Sequence, residues 1–350
     1  MAFENLTERE RQILFNLITH YIQAADPVGS RVIANRFGMG LSSATIRNTL
    51  QDLEELGLVT QPHTSAGRIP TDLGYRVYVD FLLRPQELSS KEKSSIRQSI
   101  LRQGRGVNEV LGQTCRILGE ITSQLGVSIA PRFEEGVLKR VKLIPISDER
   151  VMVVVVVESG LARSLIIEIE ASISESELKE MEPVLNERLA GLNLGEIRRT
   201  ISERLGDLSG QGRLVKLVVD AKDRIWTDQP GKGILVSGAE HLVMQPEFAN
   251  LDKVSDLIKL LEDGTVLSDF LSEAEGDGIV ITIGSENKIG KIVNCSLVSK
   301  TYKVGKISGS IAVIGPTRMP YGKLVSVVDY TARTVTDVLT SDDISGENKE

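Results

Sequence analysis

The sequence predicts an α+β multidomain chain that opens with a winged helix-turn-helix, and three observations carry that prediction. Three capped helical stripes lie before Gly57 and run straight into a short hairpin. Strand-like runs at Leu138–Ile146, Val151–Glu158 and Arg163–Ile169 are joined only by Ser147-Asp148-Glu149-Arg150 and Ser159-Gly160-Leu161-Ala162. Connections that short favour an antiparallel meander. Strand and helix signals then alternate from Ile234 to Leu339, the order of an antiparallel sheet with flanking helices.

Thr7 and Glu10 form a capping-box pattern for the first helix, whose apolar face is Ile13, Leu14, Leu17, Ile18, Tyr21 and Ile22. Asp26-Pro27 ends it. Ser30 is placed to cap a short second helix ending near Phe37, and Gly38-Met39-Gly40 makes the turn into the third. Ser42 and Ser43 are both good N-caps there, because a serine hydroxyl accepts from the unpaired amides of a first turn. Ile46, Leu50, Leu53 and Leu56 follow at spacings of four, three and three, and Gly57 can take the positive φ that stops the helix. With that stripe inward, Ala44, Asn48, Gln51 and Glu55 point away, and Thr45, Arg47 and Asp52 sit on the flanks.

The outer face is small, polar or cationic at its N-terminal end, which suits entry into a groove of DNA and hydrogen bonding to base edges or phosphates. A merely solvated helix has the same composition; the tight turn before it and the hairpin after it favour a recognition helix. Leu58–Gln61 and Ile69–Thr71 pair as short strands around His63-Thr64-Ser65-Ala66-Gly67-Arg68, where Gly67 allows a tight turn and Arg68 is placed to touch phosphate. Thr45, Arg47, Asn48 and Gln51 are therefore the expected helix contacts. Ser43, His63, Thr64, Ser65 and Arg68 are expected mainly to position the DNA backbone, although an exposed loop histidine equally fits His63.

Charge sharpens this expectation. Residues 1–85 hold eight arginines, no lysine and nine acids, an unusual balance for a DNA-binding segment and one that disfavours strong nonspecific binding. The distribution is uneven. Val28–Gln51 carries Arg31, Arg36 and Arg47 with no acid, and Leu56–Thr71 carries Arg68 with none. Positive surface is local rather than global.

Four runs, PVGS (Pro27–Ser30), SSATIRN (Ser42–Asn48), LEELGL (Leu53–Leu58) and QPHTSAGRIPTDLGYRVYVD (Gln61–Asp80), resemble the HrcA family of bacterial heat-inducible transcription repressors. The sharp likeness covers about the first quarter of the chain, and the Gln61–Asp80 run is its most specific part. The resemblance implies a winged-helix domain, a GAF-like domain, and a dimerisation domain inserted into the latter. On that parsing residues 1–85 bind DNA, 86–106 form a linker, 107–135 with 233–340 form the GAF-like domain, 136–232 form the insert, and 341–350 are a polar tail. It also implies a homodimer, an inverted-repeat operator upstream of chaperone operons (called CIRCE), and dependence on the GroEL chaperonin.

The remaining elements are read from the residues alone. Leu73–Leu83 continues helically from the hairpin until Arg84-Pro85. Residues 86–106 are polar and fit a linker or a solvated helix. Val107, Val110, Leu111, Leu118, Ile121 and Leu125 make a helical stripe that fits a core helix or a dimer contact. Ser174 with Glu177 repeats the capping box, ahead of Leu178, Met181, Leu185 and Leu189, and further helical segments centre on Ile201 and Leu217. Strand signals follow at Ile234–Val236, Ile279–Ile283, Ile292–Val298 and Ser310–Ile314, with helices at Val254–Leu261, Thr265–Leu271 and Tyr321–Leu339.

Composition narrows the alternatives. Hydrophobic residues make up 41% and charged residues 25%, ordinary for a globular protein, and the net charge of −7 disfavours a general nucleic-acid coat or a membrane-surface binder. Val151–Val157, the longest aliphatic run, is too short to span a bilayer, and no targeting segment opens the chain, so a cytoplasmic protein is expected. Cys115 and Cys295 read as buried thiols rather than a disulfide framework or zinc site. His20, His63 and His241 lack metal-ligand spacing. The glycine clusters Gly231-Lys232-Gly233 and Gly284–Gly290 fit hairpin turns better than a phosphate loop. Trp226 is expected to pack at a domain surface. No cofactor, metal or catalytic set is expected. Two rivals stay open: a repressor whose GAF-like domain takes a small effector, and an enzyme with an appended DNA-binding domain.

Overall fold

Capping chemistry sets the first three helices of the computed structural model, which describes residues 6–102, 106–168, 174–208, 213–227, 233–249, 278–287 and 295–340, with positions 255, 258, 259 and 267 between. Thr7 and Glu10 close the expected capping box on α1 (Glu8–Ala24), and Ala25 ends it in the left-handed region at φ 58°. The cap of α2 (Ser30–Phe37) is Gly29 rather than Ser30. Val28 is bridged to Arg68, so the chain turns into the helix one residue early and the Ser30 hydroxyl reaches Ser43 instead, at 2.9 Å. Ser42 caps α3 (Ser43–Glu55) by accepting from the Thr45 amide, and Gly57 leaves the helix at φ 73°. Strands β1 (Val59–Thr60) and β2 (Ile69–Pro70) form the antiparallel hairpin. Thr71 then caps α4 (Asp72–Val77), which relaxes into a π-turn over Tyr78–Leu82.

The stretch read as a linker or solvated helix is a packed one. Helix α5 (Ser90–Leu101) has a Ser89–Glu92 capping box and buries Ile96 and Ile100, a stripe the surrounding serines conceal in the sequence. It lies against α6 (Val107–Thr122) and the closing helix α12 (Tyr321–Thr340). The stripe expected to run through Leu125 stops short, because Ser123 turns left-handed and Leu125 opens a strand the periodicity missed, β3 (Leu125–Ile129). Gly126 lets that strand lie on α6: a Cβ there would stand 2.2 Å from the Cys115 carbonyl oxygen.

β3 belongs to a five-stranded antiparallel sheet with β7 (Ile234–Ser237), β8 (Ile279–Ile283), β9 (Cys295–Val304) and β10 (Ile307–Pro316), in the order β7-β3-β10-β9-β8. Helices α6 and α12 cover one face, and the short α11 (Ala239–Val243) packs against β3. The chain leaves this sheet after Ile129 and re-enters at Ile234. Between lie the meander β4 (Leu138–Ser147), β5 (Arg150–Val157) and β6 (Ala162–Glu168), then α7 (Glu175–Leu189), α8 (Leu194–Arg204), α9 (Arg213–Asp220) and α10 (Lys222–Ile225). Val151, Val153, Val155 and Val157 alternate into a separate core with Leu185, Leu189, Ile197 and Ile201. Trp226 sits inside that core, 1% exposed, rather than at a surface: α10 folds its end back over the cluster.

The Ser174–Glu177 capping box on α7 matches the expectation, as does the final helix. The expected helices Val254–Leu261 and Thr265–Leu271, the start of the Ile292–Val298 strand, most of the Gly231–Gly233 cluster, the end of the Gly284–Gly290 cluster and the polar tail fall largely or wholly outside the described residues, whereas Gly284–Glu286 form a short 3-10 turn. Among the described residues no helix is long and apolar enough to cross a membrane.

Both cysteines are buried. The Cys115 thiol donates to the Leu235 carbonyl at 3.0 Å and contacts the Ser128 hydroxyl at 3.1 Å, and burial pushes its pKa up to about 12. Thiolates, not thiols, alkylate. At pH 8 the native protein is therefore expected to take up no iodoacetamide at Cys115 and to gain that adduct once denatured, as read by peptide mass spectrometry. Rapid native labelling would contradict the packing described.

Candidate nucleic-acid interface

Ile46, Thr49, Leu50 and Leu53 turn α3 toward the three-helix core, which leaves Ala44, Arg47, Asn48 and Gln51 exposed. The side chains of Arg47, Asn48 and Gln51 make no hydrogen bond or ion pair among the described residues, so their polar groups stay available to a ligand. Thr45 and Ser43 are half-buried and already engaged: the Thr45 hydroxyl meets that of Ser42 at 2.9 Å, and Ser43 ties α3 to α2 through Ser30. Asp52 and Glu55 are exposed at the opposite end of α3. The positive end of the helix dipole therefore coincides with its acid-free half, a natural seat for phosphate.

The hairpin tip is held by one side chain. The Gln61 Nε2 amide donates to the carbonyls of Thr64 and Ala66, each at 2.9 Å, and presents His63, Thr64 and Ser65 to solvent. Its base is fixed on the α1–α2 turn, where Val28 and Arg68 exchange two backbone hydrogen bonds of 2.9 Å. Gly67 permits that approach, because a Cβ there would stand 2.4 Å from the Val28 carbonyl carbon. The structure thus brings the helix residues and the tip residues onto one connected unit. Arg68 is the exception: its guanidinium folds back to Glu54 at 2.7 Å instead of reaching outward.

One exposed cation lies outside the set of expected contacts. Arg31, in the first turn of α2 beside the Ser30–Ser43 contact, has no partner among the described residues. Its signal was its place in the acid-free run from Val28 to Gln51. Arg36, in the same run, instead donates to His20 Nδ1 at 2.8 Å and to the Gln23 side-chain oxygen Oε1 at 3.0 Å. Partial burial, then the nearby Arg36 charge, lowers the His20 pKa.

The opposite side of this unit is docked on the five-stranded domain. The Asp72 carboxylate accepts from the Ser285 amide at 2.8 Å, and Arg76 binds Glu286 at 2.8 and 2.6 Å and the Ile281 carbonyl at 2.6 Å. Arg318 donates to the Ile22 carbonyl at 2.7 Å while holding Glu247 at 2.6 Å. Tyr75 lies 6.0 Å from Tyr321, centroid to centroid, within an apolar cluster common to both domains.

Three helices, a two-stranded wing and an exposed, partnerless polar helix face define a winged helix-turn-helix DNA-binding protein. Residues 5–80 match the family described as winged helix-turn-helix transcription repressor, HrcA DNA-binding, and residues 108–325 match the HrcA protein C-terminal domain. The chain belongs to the HrcA family and is a heat-inducible transcription repressor. It is 38% identical over 344 residues to the heat-inducible transcription repressor HrcA of Chlorobium phaeobacteroides (strain BS1), covering 95% of this chain and 98% of that one. The protein of the same name from Chlorobium chlorochromatii (strain CaD3) is 38% identical over 346 residues, with 97% and 99% covered. A crystal structure of a hypothetical protein at 2.2 Å resolution shares the fold with a TM-score of 0.64 and 25% identity, over 96% of this chain and 99% of that one.

Proposed function

We propose that the chain represses heat-shock chaperone operons by binding, as a homodimer, the inverted-repeat operator called CIRCE. The observation that carries this reading is the partnerless row Arg47, Asn48 and Gln51 on the exposed face of α3, next to a wing tip of His63, Thr64 and Ser65. In this reading Thr45, Arg47, Asn48 and Gln51 lie in the major groove. Ser43, His63, Thr64 and Ser65 set the protein against the backbone, while Arg68 acts from the wing base through its pair with Glu54.

The domain parsing proposed is 1–85 for DNA binding, 107–135 with 233–340 as the GAF-like domain, and 136–232 as an inserted dimerisation domain. The departure from the five-stranded sheet at Ile129 and return at Ile234 support it. The outer face of the meander supports dimerisation through the insert: Met152, Val154 and Val156 are only half-buried, and Ile144 and Ile166 are exposed beside them. A twofold dimer reads an inverted repeat with half-site spacing set by its own geometry. The site of action is the cytoplasm, where operator and chaperonin both lie. Dependence on GroEL follows if the chain is prone to aggregate while folding, and the Val151–Val157 strand is such a hazard when unpaired.

A footprint of the purified protein on the promoter of its own organism's chaperone operon tests the reading; protection confined to no inverted repeat would refute it. Arg47→Ala is expected to cost about 1–3 kcal/mol of operator affinity and to relax preference at one base position. Titrations against single-base operator variants check this. A loss equal on every duplex would make Arg47 a phosphate contact instead.

A further inference from the structure

Arg68 is not presented as a phosphate-binding arginine would be. Two backbone hydrogen bonds with Val28 fix its position at the wing base, and its guanidinium turns back to the Glu54 carboxylate at 2.7 Å. Its side chain is 19% exposed and that of Glu54 32%, and the Arg68 Nε is buried without a hydrogen-bond partner among the described residues. Glu54 lies in the last turn of α3. The pair therefore joins the far end of the helix bearing Arg47, Asn48 and Gln51 to the base of the hairpin bearing His63, Thr64 and Ser65.

We propose that Glu54 is a positioning residue of the DNA interface, which fixes the wing to the recognition helix through Arg68 and withholds that arginine's charge from the phosphate backbone. The proposal rests on the reading of α3 as the recognition helix. Each phosphate neutralised by a free cation releases counterions, adds affinity for any sequence, and steepens the fall of log affinity with log salt by about 0.9. A guanidinium paired with a carboxylate of its own chain brings no net charge to that exchange. The hairpin base gives Arg68 little freedom to leave. Gly67 is pressed on the Val28 backbone and Gln61 spans the loop, so only side-chain rotation, after breaking the pair, would carry the guanidinium to a phosphate. Arg31 and Arg47 stay as exposed cations without a partner on this face, and discrimination by α3 is not diluted by a sequence-blind charge from the wing base.

The test is a set of salt titrations on the full chain and on Glu54→Gln, Arg68→Ala and the double variant. Each is titrated with a duplex carrying the chaperone-operon inverted repeat and with a scrambled duplex of equal length. Glu54→Gln is expected to steepen the log–log slope by about 0.9 per subunit on both duplexes. It should tighten scrambled binding more than operator binding, so that operator preference falls several-fold. Arg68→Ala is expected to keep the parent slope while weakening operator binding, and the double variant to return to the parent slope. An unchanged slope in Glu54→Gln overturns the proposal. So does a slope shallower by about 0.9 per subunit in Arg68→Ala, which places Arg68 on phosphate in the parent. Should Glu54→Gln fail to fold, the Arg68→Ala slope decides alone. A parent protein that does not prefer the operator duplex at all refutes the recognition-helix reading itself, a result distinct from any change among the variants.

Discussion

Gly74→Ala is expected to unfold the DNA-binding domain at temperatures where the parent remains intact. A Cβ at Gly74 would stand 2.0 Å from the Leu58 carbonyl oxygen and 3.0 Å from its carbon, both backbone atoms. Neither side can retreat. The Leu58 carbonyl accepts from the Thr71 amide at 3.1 Å, and Thr71 in turn caps α4 through the Gly74 amide at 3.0 Å. Relief of the clash breaks the junction between wing and α4, at a cost of about 3 kcal/mol or more. Calorimetry should show an early transition, and operator binding should disappear with it. Gly29→Ala is the control: a Cβ there meets nothing within 4 Å, and the change should cost under about 1 kcal/mol. Equal melting of Gly74→Ala and the parent would refute the packing.

The second large effect is expected at Arg76. Its guanidinium satisfies Glu286, Asp80 at 3.0 Å and the Ile281 carbonyl together, so Arg76→Ala strips three acceptors at once. Hydrogen bonds to charged groups contribute about 1.5–3 kcal/mol each, less where water reaches them, and a net loss of about 2–3 kcal/mol in docking is expected. The local fold of α1 to β2 does not depend on these contacts. Affinity for a single half-site duplex should therefore stay near that of the parent, while for the dimer proposed above affinity for a full inverted repeat falls, because two untethered domains would lose the effective concentration that fixed geometry supplies. Faster proteolysis between Leu83 and Ser89 should accompany it. Losses of equal size on both duplexes would place Arg76 inside the DNA-binding unit rather than at its mount.

The parts legible in the sequence are those fixed by local chemistry. Capping boxes at Thr7–Glu10 and Ser174–Glu177 need only residues three apart, and the alternating valines of β5 need only a period of two. The exposed face of α3 follows in the same way, since inward Ile46, Leu50 and Leu53 determine which side chains face out. Tertiary partners are not encoded locally. β3 was hidden because its apolar residues continue the stripe of α6, and only Ser123 in the left-handed region separates them. Arg68 reads as a free wing cation until the fold brings Glu54 to it. Trp226 reads as a surface aromatic until α10 closes over the insert's core.

The docking of Arg76 on Ile281 has one more consequence. Among the described residues β8 is an edge strand of the five-stranded sheet, and the Ile281 carbonyl that Arg76 occupies belongs to that strand. Unpaired strand edges are templates for joining other chains. The DNA-binding domain is thus also a stopper on the sheet's open seam. A molecule whose reading head comes loose weakens its hold on the operator and bares a sticky border in the same event, so loss of repression and exposure to aggregation share one physical cause.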